Sequence, residues 1–308
     1  MVSAVFHSPL DTTPVPLPAK AIEPPRVVAP RTHTFTAELA RSAASPAERV
    51  PFDWRGLWLR VLPPVIGLAL LVGIWALFTI KSTTFPTPGQ TFDAAVKLFA
   101  DPFYQKGPND QGIGWNILFS LERVAVGFGL AALVGIPLGF VLGRFRFANA
   151  MAAPIISLLR PVSPLAWLPI GLLVFKAANP AAIWTIFICS IWPMIINTAV
   201  GVQRVPADYL NVAKVLNLSE WKVITKILFP AVLPYMLTGV RLSVSTAWLV
   251  IVAAEMLTGG VGIGFWVWDE WNNLKVEHII IAIFTIGIVG LLLEQSLVLL
   301  AKRFNYGA

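Results

Sequence analysis

Long apolar runs alternate with short charged segments along most of this sequence. A helix needs about 20 consecutive apolar residues to cross the hydrocarbon core of a bilayer, and the run VLPPVIGLALLVGIWALFTI has that length. The pattern predicts an all-α integral membrane protein whose six-span domain covers residues 61–303. The predicted spans are 61–80, about 116–143, about 148–175, about 183–202, about 231–257 and about 278–300.

Two of the predicted spans have a distinctive composition. The second is rich in glycine, which suits the close approach of another helix. Its glycines are Gly127, Gly129, Gly135, Gly139 and Gly143. The third is interrupted by Pro154, Pro161, Pro164 and Pro169.

The N-terminal region differs from the rest of the chain. Residues 1–50 are rich in proline and carry scattered charges, a composition typical of a disordered tail. The segment PFDWRGLWLR, residues 51–60, places apolar and basic side chains on different helical sides. It predicts an interfacial helix that leads into the first span.

Composition supports a membrane protein and excludes several other classes. The chain is 56% hydrophobic and only 13% charged, whereas soluble domains carry roughly 25% charged residues. A net charge of +7 could indicate nucleic-acid binding, but the basic residues cluster at the ends of apolar runs, as the positive-inside rule describes. The three histidines have no metal-ligand spacing, and the single cysteine, Cys189, lies in an apolar run. We therefore expect no metal site and no nucleic-acid partner.

The distribution of basic residues also predicts the orientation. Arg144, Arg146 and the basic segment 204–226 fall on the same side of the predicted spans as both chain ends. The more basic side faces the cytoplasm. Both termini are therefore expected to be cytoplasmic.

A charged amphipathic stretch, residues 203–229, separates the fourth and fifth spans. Pro206 suits the first turn of one short helix, and Ser219 followed by Glu220 suits the start of a second. Helical spacing places four residues on one face of the first helix: Tyr209, Val212, Ala213 and Leu216. The pattern predicts a helical hairpin that offers this face to a partner. The alternative is a membrane-surface loop that binds nothing.

Ionisable residues inside spans are costly and are functional candidates by default. The planar guanidinium of arginine suits a small trigonal oxyanion, and nearby hydroxyls could add donors. The candidates for a substrate path are Arg160, Arg241, Ser243, Ser245, Thr246 and Glu255. The alternatives are a structural clamp at Arg160, a structural Arg–Glu pair at Arg241, and an interfacial position for Glu122 and Arg123 near the outer end of their span.

The hairpin resembles the cytoplasmic loop of ATP-binding-cassette (ABC) importer permeases. That loop has the pattern Glu-Ala-Ala, three residues and Gly, which maps onto Asn211, Val212, Ala213 and Asn217. Asn211 replaces the glutamate and Asn217 the glycine, and Asp208 could substitute for the missing acid. The stretches RPVSPLAWLPIGLLVFKAANP and RLSVSTAWLVIVAAEMLTGGVGIGFWVWDEWNNL resemble the nitrate/sulfonate/taurine/bicarbonate group of these permeases. Over about residues 55–305 the resemblance is greatest to the cyanobacterial-type nitrate/nitrite permease, with its bicarbonate relative nearly as similar.

The resemblance implies a type I (MetI-like) permease fold with a cytoplasmic coupling helix, in a bacterial plasma membrane. It implies a second permease copy, two cytoplasmic ATPases that bind ATP and Mg, and a periplasmic or lipid-anchored solute-binding protein. The outer loop TGGVGIGFWVWDEWNNL would meet that protein or lie at the membrane interface. The residues implied in ATPase coupling are Asp208, Tyr209, Asn211, Val212, Ala213, Leu216 and Asn217.

The chain itself is not expected to be an enzyme. It contains no Gly-x-x-x-x-Gly-Lys-Ser/Thr pattern, which ATP-binding loops require, and we expect no cofactor in it. The implied cargo is nitrate or nitrite, with bicarbonate and then sulfonate or taurine as alternatives. Two alternative functions belong to other classes of protein. One is a stand-alone secondary transporter or channel, and the other is a membrane scaffold. No internal repeat supports the transporter.

Overall fold

The computed structural model describes residues 54–82 and 85–304, and within them the chain is helical apart from turns and one isolated bridge between Gln105 and Gln111. The helices are α1 (Trp54–Thr79), α2 (Pro88–Ala100), α3 (Ile113–Arg144), α4 (Arg146–Leu159), α5 (Pro164–Phe175), α6 (Ala178–Gln203), α7 (Ala207–Val215), α8 (Glu220–Val223), a π-helical turn (Ile224–Leu228), α9 (Phe229–Thr258), α10 (Ile263–Asn272) and α11 (Val276–Phe304). The predicted tail at 1–50, and the first residues of the predicted interfacial helix, lie outside the described residues. Contacts divide the chain after Pro64, and the helices from Val65 onward form one compact unit.

Five described helical segments are long and apolar enough to cross a membrane: Val61–Thr79, Ile113–Arg144, Ala178–Gln203, Glu220–Thr258 and Val276–Leu299. The third predicted span is instead a pair of shorter helices, α4 and α5, bent by 100°. Ser163 caps α5 by accepting a hydrogen bond from the Leu165 amide, and Pro164 occupies its first turn. A proline there favours a new helix start over continuation of the preceding helix.

The packing of α3 on α6 indicates that the bent pair is a sixth candidate span. The neighbours of the α3 glycines advance along α6 in the same direction: Ile186 beside Gly127, Thr198 beside Gly139 and Val202 beside Gly143. The two helices are therefore parallel, and the chain must return to the starting side between them. With α4 and α5 as the returning segment, the described residues contain six candidate spans, which is the predicted number.

Glycine makes this close packing possible. A Cβ atom at Gly139 would lie 2.5 Å from Cβ of Thr198 and 2.9 Å from the Ile195 carbonyl oxygen, distances shorter than van der Waals contact. Gly129 faces away from α6 and has nothing within 4 Å of such a position. The predicted glycine face is therefore confirmed for Gly127, Gly135, Gly139 and Gly143, but not for Gly129.

The centre of the molecule is a layer of α3, α6 and α9. Helix α9 runs antiparallel to α6, with Gly201 against Tyr235 and Gly239 against Asn197. Helix α11 lies against α9, where the Trp248 indole donates to the Ile286 carbonyl at 3.0 Å. Many large apolar side chains of the described helices are exposed, including most of those on α1, and lipid or another protein must cover them.

Candidate functional site

The hairpin between α6 and α9 has a defined local structure. Asn217 ends α7 with φ of 48°, in the left-handed region. The backbone N–H of Leu218 donates to the backbone carbonyl of Ala213, and the backbone N–H of Asn217 donates to that of Lys214, both at 3.0 Å. This pair of bonds is a Schellman motif, in which glycine is commonest and asparagine is the usual replacement. The geometry explains why asparagine can stand where related loops carry glycine.

The exposed side of α7 differs from the predicted face at one position. Tyr209, Val212 and Leu216 are 56%, 56% and 63% exposed and form a stripe along α7, here called the coupling face. Ala213 is only 2% exposed, because it packs into a cluster with Val223 and Leu228 of the same chain. This corrects the expectation that Ala213 faces a partner. Asp208, Asn211 and Asn217 are exposed beside the stripe.

An ion pair attaches the hairpin to the end of α3. The Arg144 guanidinium donates to both carboxylate oxygens of Glu220, at 2.9 and 3.2 Å. Glu220 is the first residue of α8, where an acidic side chain also favours the helix dipole. The positions of Arg144 and Glu220 in the sequence predict that both lie on the same side of the membrane, but no local pattern predicts that they pair.

The proposed path residues do not form one cluster. The Arg241 guanidinium pairs with Glu294 on α11, and both side chains are partly exposed, which is the Arg–Glu pair considered as the alternative. Ser245 and Thr246 donate to carbonyls of their own helix, at 3.2 and 2.9 Å. Glu255 lies about 21 Å from Arg241 along the axis of α9, by the rise of about 1.5 Å per residue.

Two other path candidates have contrasting environments. Ser243 is fully buried and donates to the Ser190 carbonyl at 2.7 Å. This corrects the expectation that Ser243 offers a donor to an anion, because its hydroxyl joins α9 to α6. Arg160 is exposed at the break between α4 and α5. Its side chain has no hydrogen bond or ion pair to any residue that the structure describes.

Glu255 is the centre of a buried polar network at the opposite end of α3 from the hairpin. Its carboxylate is 1% exposed and accepts from the Ser120 hydroxyl at 2.8 Å, the Arg123 guanidinium at 2.6 Å and the Gly264 amide at 3.0 Å. Opposite charge and several donors offset the cost of burying a carboxylate. Glu255 therefore joins α3, α9 and the start of α10.

The same network fixes the glycine-rich loop that links α9 to α10. Asn116 Oδ1 accepts from the Gly262 amide and Ser120 Oγ accepts from the Ile263 amide, each at 2.9 Å. Arg123 also donates to the Val261 carbonyl at 2.6 Å. A side chain at Gly262 would collide with the Glu255 carboxylate, and φ there is 153°. Only glycine suits this position.

Most of this network was not predicted from the sequence. Glu255 was a candidate for the path, and Arg123 was considered interfacial, but Asn116 and Ser120 were not singled out. A serine and an asparagine four residues apart in an apolar helix were the available signal, since such side chains need partners in a membrane interior. Arg123 also donates to Asn179 Oδ1 at 2.7 Å, which adds the start of α6 to the network.

A second polar cluster lies at the junction of α10 and α11. Glu270 is 7% exposed, and its Oε2 lies 3.3 Å from Lys275 Nζ and 3.0 Å from His278 Nδ1. Burial opposes ionisation of Glu270, but the adjacent His278 and Lys275 outweigh burial and hold the pKa of this carboxyl below its ordinary value. The Trp266 ring stacks on His278 at 5.9 Å between centroids. Trp268 and Trp271 are exposed.

In the described part of the chain, no group of three or more histidine, cysteine, aspartate or glutamate side chains has an arrangement that could hold a metal ion. The polar sites are ion pairs and helix-joining hydrogen bonds. Six candidate spans with a charged hairpin on one side are compatible with a transport permease, and comparison with known proteins tests that class.

Comparison with known proteins identifies the family. A family model described as the binding-protein-dependent transport system inner membrane component matches residues 135–306. The chain is 46% identical to the nitrate import permease protein NrtB of Synechocystis sp., over 78% of this chain and 88% of that protein. It is 42% identical to the bicarbonate transport system permease protein CmpB of the same organism, over 89% and 99% of the two chains.

The fold also matches a solved structure. The MetNI methionine ABC transporter, in an inward facing conformation, aligns with a TM-score of 0.54 over 62% of this chain and 95% of that chain, at 14% identity. The chain belongs to the family of inner membrane components of binding-protein-dependent transport systems. It is a multi-pass permease subunit of a bacterial ABC transporter, with ATP hydrolysis carried out by separate subunits. The resemblance and the MetI-like fold inferred from sequence are confirmed, and the stand-alone transporter and scaffold readings are set aside.

Proposed function

We propose that this chain is the membrane-spanning subunit of an ATP-driven importer that moves nitrate or nitrite from the periplasm into the cytoplasm by alternating access. The similarity to NrtB proteins, at 46% and 45% identity for those of Synechocystis sp. and Leptolyngbya laminosa, carries this proposal. Bicarbonate is the second candidate, because CmpB is 42% identical over nearly its full length. A sulfonate or taurine cargo has no comparable support.

The proposed assembly contains two copies of this chain, two ATPases that bind ATP and Mg, and an external solute-binding protein. The exposed apolar side chains of the spans provide surface for the second copy and for lipid. The orientation follows the positive-inside rule: α7 and both termini are cytoplasmic. The loop between α9 and α10, together with the exposed Trp268 and Trp271 of α10, then faces the solute-binding protein.

The coupling face is the proposed contact with the ATPases. Tyr209, Val212 and Leu216 form the apolar contact, Asp208 and Asn211 supply the polar edge, and Ala213 and Asn217 hold the shape of α7. Leu216→Asp should release the ATPases, because an unpaired charge buried in an interface costs several kcal/mol. Lys214→Asp, which changes an exposed residue outside the stripe, is the control. Equal ATPase retention by both purified variants would contradict the assignment.

In the proposed path, Arg160 and Arg241 contact the anion. Ser245 and Thr246 lie on the same helix as Arg241 and follow it by four and five residues. Ser243 and Glu255 hold the helices together without contacting the anion. Arg241 is half exposed while paired with Glu294, so a small anion can compete with that carboxylate for the guanidinium. Arg241→Gln should impair uptake and leave the ATPases bound. Glu294→Gln, which frees the guanidinium, should retain uptake. Unchanged uptake by Arg241→Gln would make the pair structural.

One experiment decides the cargo. The complete importer, with its ATPases and its solute-binding protein, is placed in vesicles and supplied with labelled nitrate or labelled bicarbonate. ATP-dependent uptake of nitrate that excess unlabelled bicarbonate does not reduce supports the proposal. Uptake of bicarbonate alone would reassign the cargo. An importer with a hydrolysis-deficient ATPase controls for leakage.

A further inference from the structure

A basic cavity lies at the hairpin end of the spans, apart from the coupling face and the proposed path. Its volume is about 640 Å³, within the range of small-molecule sites. The polar side chains that line it belong to Arg144, Arg146, Asn149 and Gln203, and no carboxylate is among its lining residues. The cavity therefore presents hydrogen-bond donors and positive charge, a combination that suits an anion.

The donors around the cavity are largely available. Arg144 uses Nε and Nη2 on Glu220, and its Nη1 remains for another acceptor. Arg146, Asn149 and Gln203 make no side-chain hydrogen bond or ion pair with the residues that the structure describes. A guanidinium binds phosphate oxygens by parallel hydrogen bonds, so the pair of arginines favours a phosphate group.

The position of the cavity indicates where such a phosphate comes from. Arg144 ends the span α3 and Arg146 begins α4, so both are at the boundary of the apolar region. Phe145 and Phe147, beside Arg146, are 50% and 78% exposed, so apolar surface that lipid can cover adjoins the two arginines. Basic pockets between helices on the cytoplasmic side bind anionic headgroups.

We propose that this cavity binds the phosphate group of an anionic membrane lipid in the cytoplasmic leaflet, an inference that rests on the orientation given under the proposed function. The cavity is also lined by Ala207 and Leu210 of α7. A bound phosphate therefore bridges the ends of α3, α4 and α6 to the helix that carries the coupling face. The lipid holds the hairpin in place and supports the coupling of ATP hydrolysis to transport.

Lipid binding is tested on the complete importer by native mass spectrometry, with phosphatidylglycerol and phosphatidylcholine offered in equal amounts. The parent should retain phosphatidylglycerol in preference. Arg146→Gln should weaken that retention by about tenfold or more, since a hydrogen bond to a charged group contributes about 1.5–3 kcal/mol and each 1.4 kcal/mol is tenfold. Lys226→Gln removes the same charge from an exposed residue on the same hairpin that does not line the cavity, and should retain the lipid as the parent does.

Three results would overturn the proposal. Equal loss of phosphatidylglycerol in the two variants would mean diffuse surface attraction. Equal retention by Arg146→Gln and the parent would exclude the cavity. Binding of inorganic phosphate that depends on Arg146, without preference for phosphatidylglycerol, would assign the site to a soluble phosphate compound. None of these results depends on which anion is imported, so failure here leaves the proposed cargo intact.

The functional consequence has its own measurement. In vesicles of phosphatidylcholine alone, the parent importer should hydrolyse ATP with less uptake per ATP than in vesicles that contain phosphatidylglycerol. Arg146→Gln should lose that dependence and Lys226→Gln should keep it. Uptake per ATP that is independent of lipid in the parent would refute the role in coupling.

Discussion

Replacing Glu255 by glutamine tests whether the buried network holds the loop between α9 and α10 closed. Glutamine has nearly the same shape but no charge, and its NH₂ group would face a donor in a site where Ser120, Arg123 and the Gly264 amide all donate. Removing one partner of a buried ion pair costs about 3–5 kcal/mol. Arg123 keeps the Val261 carbonyl and Asn179 as acceptors, so we expect the lower limit, about 3 kcal/mol.

The assay measures opening of the loop through a buried reporter. Ile263 is 0% exposed and its amide donates to Ser120, so a cysteine at 263 reacts with a maleimide only when the loop opens. All variants carry Cys189→Ala, which removes the chain's only cysteine. A change of about 3 kcal/mol corresponds to roughly hundredfold faster labelling when opening and closing are fast.

The control for this experiment is Glu294→Gln, which breaks a partly exposed pair elsewhere on the chain. Exposed pairs contribute about 0–1 kcal/mol, so labelling should change by no more than a few-fold. Ser120→Ala removes the acceptor of the Ile263 amide and should give an intermediate effect, from about 1–3 kcal/mol. If Glu255→Gln labels at the parental rate, the network does not hold the loop, and the reasoning fails.

Three further predictions concern the packing, the hairpin and the outer cluster. Gly139→Leu should separate α3 from α6 and abolish recovery of folded protein in size-exclusion chromatography, while Gly129→Leu, which faces open space, should behave as the parent. Asn217→Val should destabilise the hairpin by about 1–2 kcal/mol, because a β-branched residue is strained at positive φ. Asn217→Gly should not destabilise it. Hydrogen exchange of the backbone amides of residues 207–223 measures the stability of the hairpin in both variants. Because the pKa of Glu270 is lowered in the folded state, its stabilising contribution is present above the unfolded pKa and is lost as the pH falls through the folded pKa. The protection factor for hydrogen exchange at the α10–α11 junction should fall below about pH 4 in the parent, and Glu270→Gln should remove that step.

The predictable parts of this fold are those with local causes. The lengths of the apolar runs predicted the positions of the spans. Ser219 caps α8 by accepting a hydrogen bond from the backbone N–H of Lys222, as the sequence predicted. The prolines of the third span indicated an interruption, but the 100° bend depends on packing against α6. Helical spacing predicted which residues share a side of α7, yet it could not tell that Ala213 faces its own chain.

The polar network was beyond sequence reasoning for a different reason. Ser120 and Glu255 are 135 positions apart in the chain, and no local pattern joins residues at that distance. Each was visible alone as a polar residue in an apolar helix. Their partnership depends on the antiparallel approach of α3 and α9, which the glycine contacts and the α10 loop determine together.

The arrangement of contacts also determines which parts of the chain can move separately. Glycine packing holds helices α3, α6 and α9 together along their length. At one end the Glu255 network joins them. At the other end the Arg144–Glu220 pair joins α3 to α8, which continues into α9. Packed interiors of this kind are not continuously deformable.

If the ATPases act on α7, their movement passes through Leu228 and Val232, which are buried in one cluster with Ala213, into this three-helix unit as a whole. We therefore expect the unit to tilt as one body and the bend between α4 and α5 to absorb the motion, because that crossing is already bent by 100°. A disulfide engineered across α3 and α6 should then leave transport intact, whereas one that joins α4 to α5 across the bend should stop it; the opposite result would place the moving joint inside the three-helix unit.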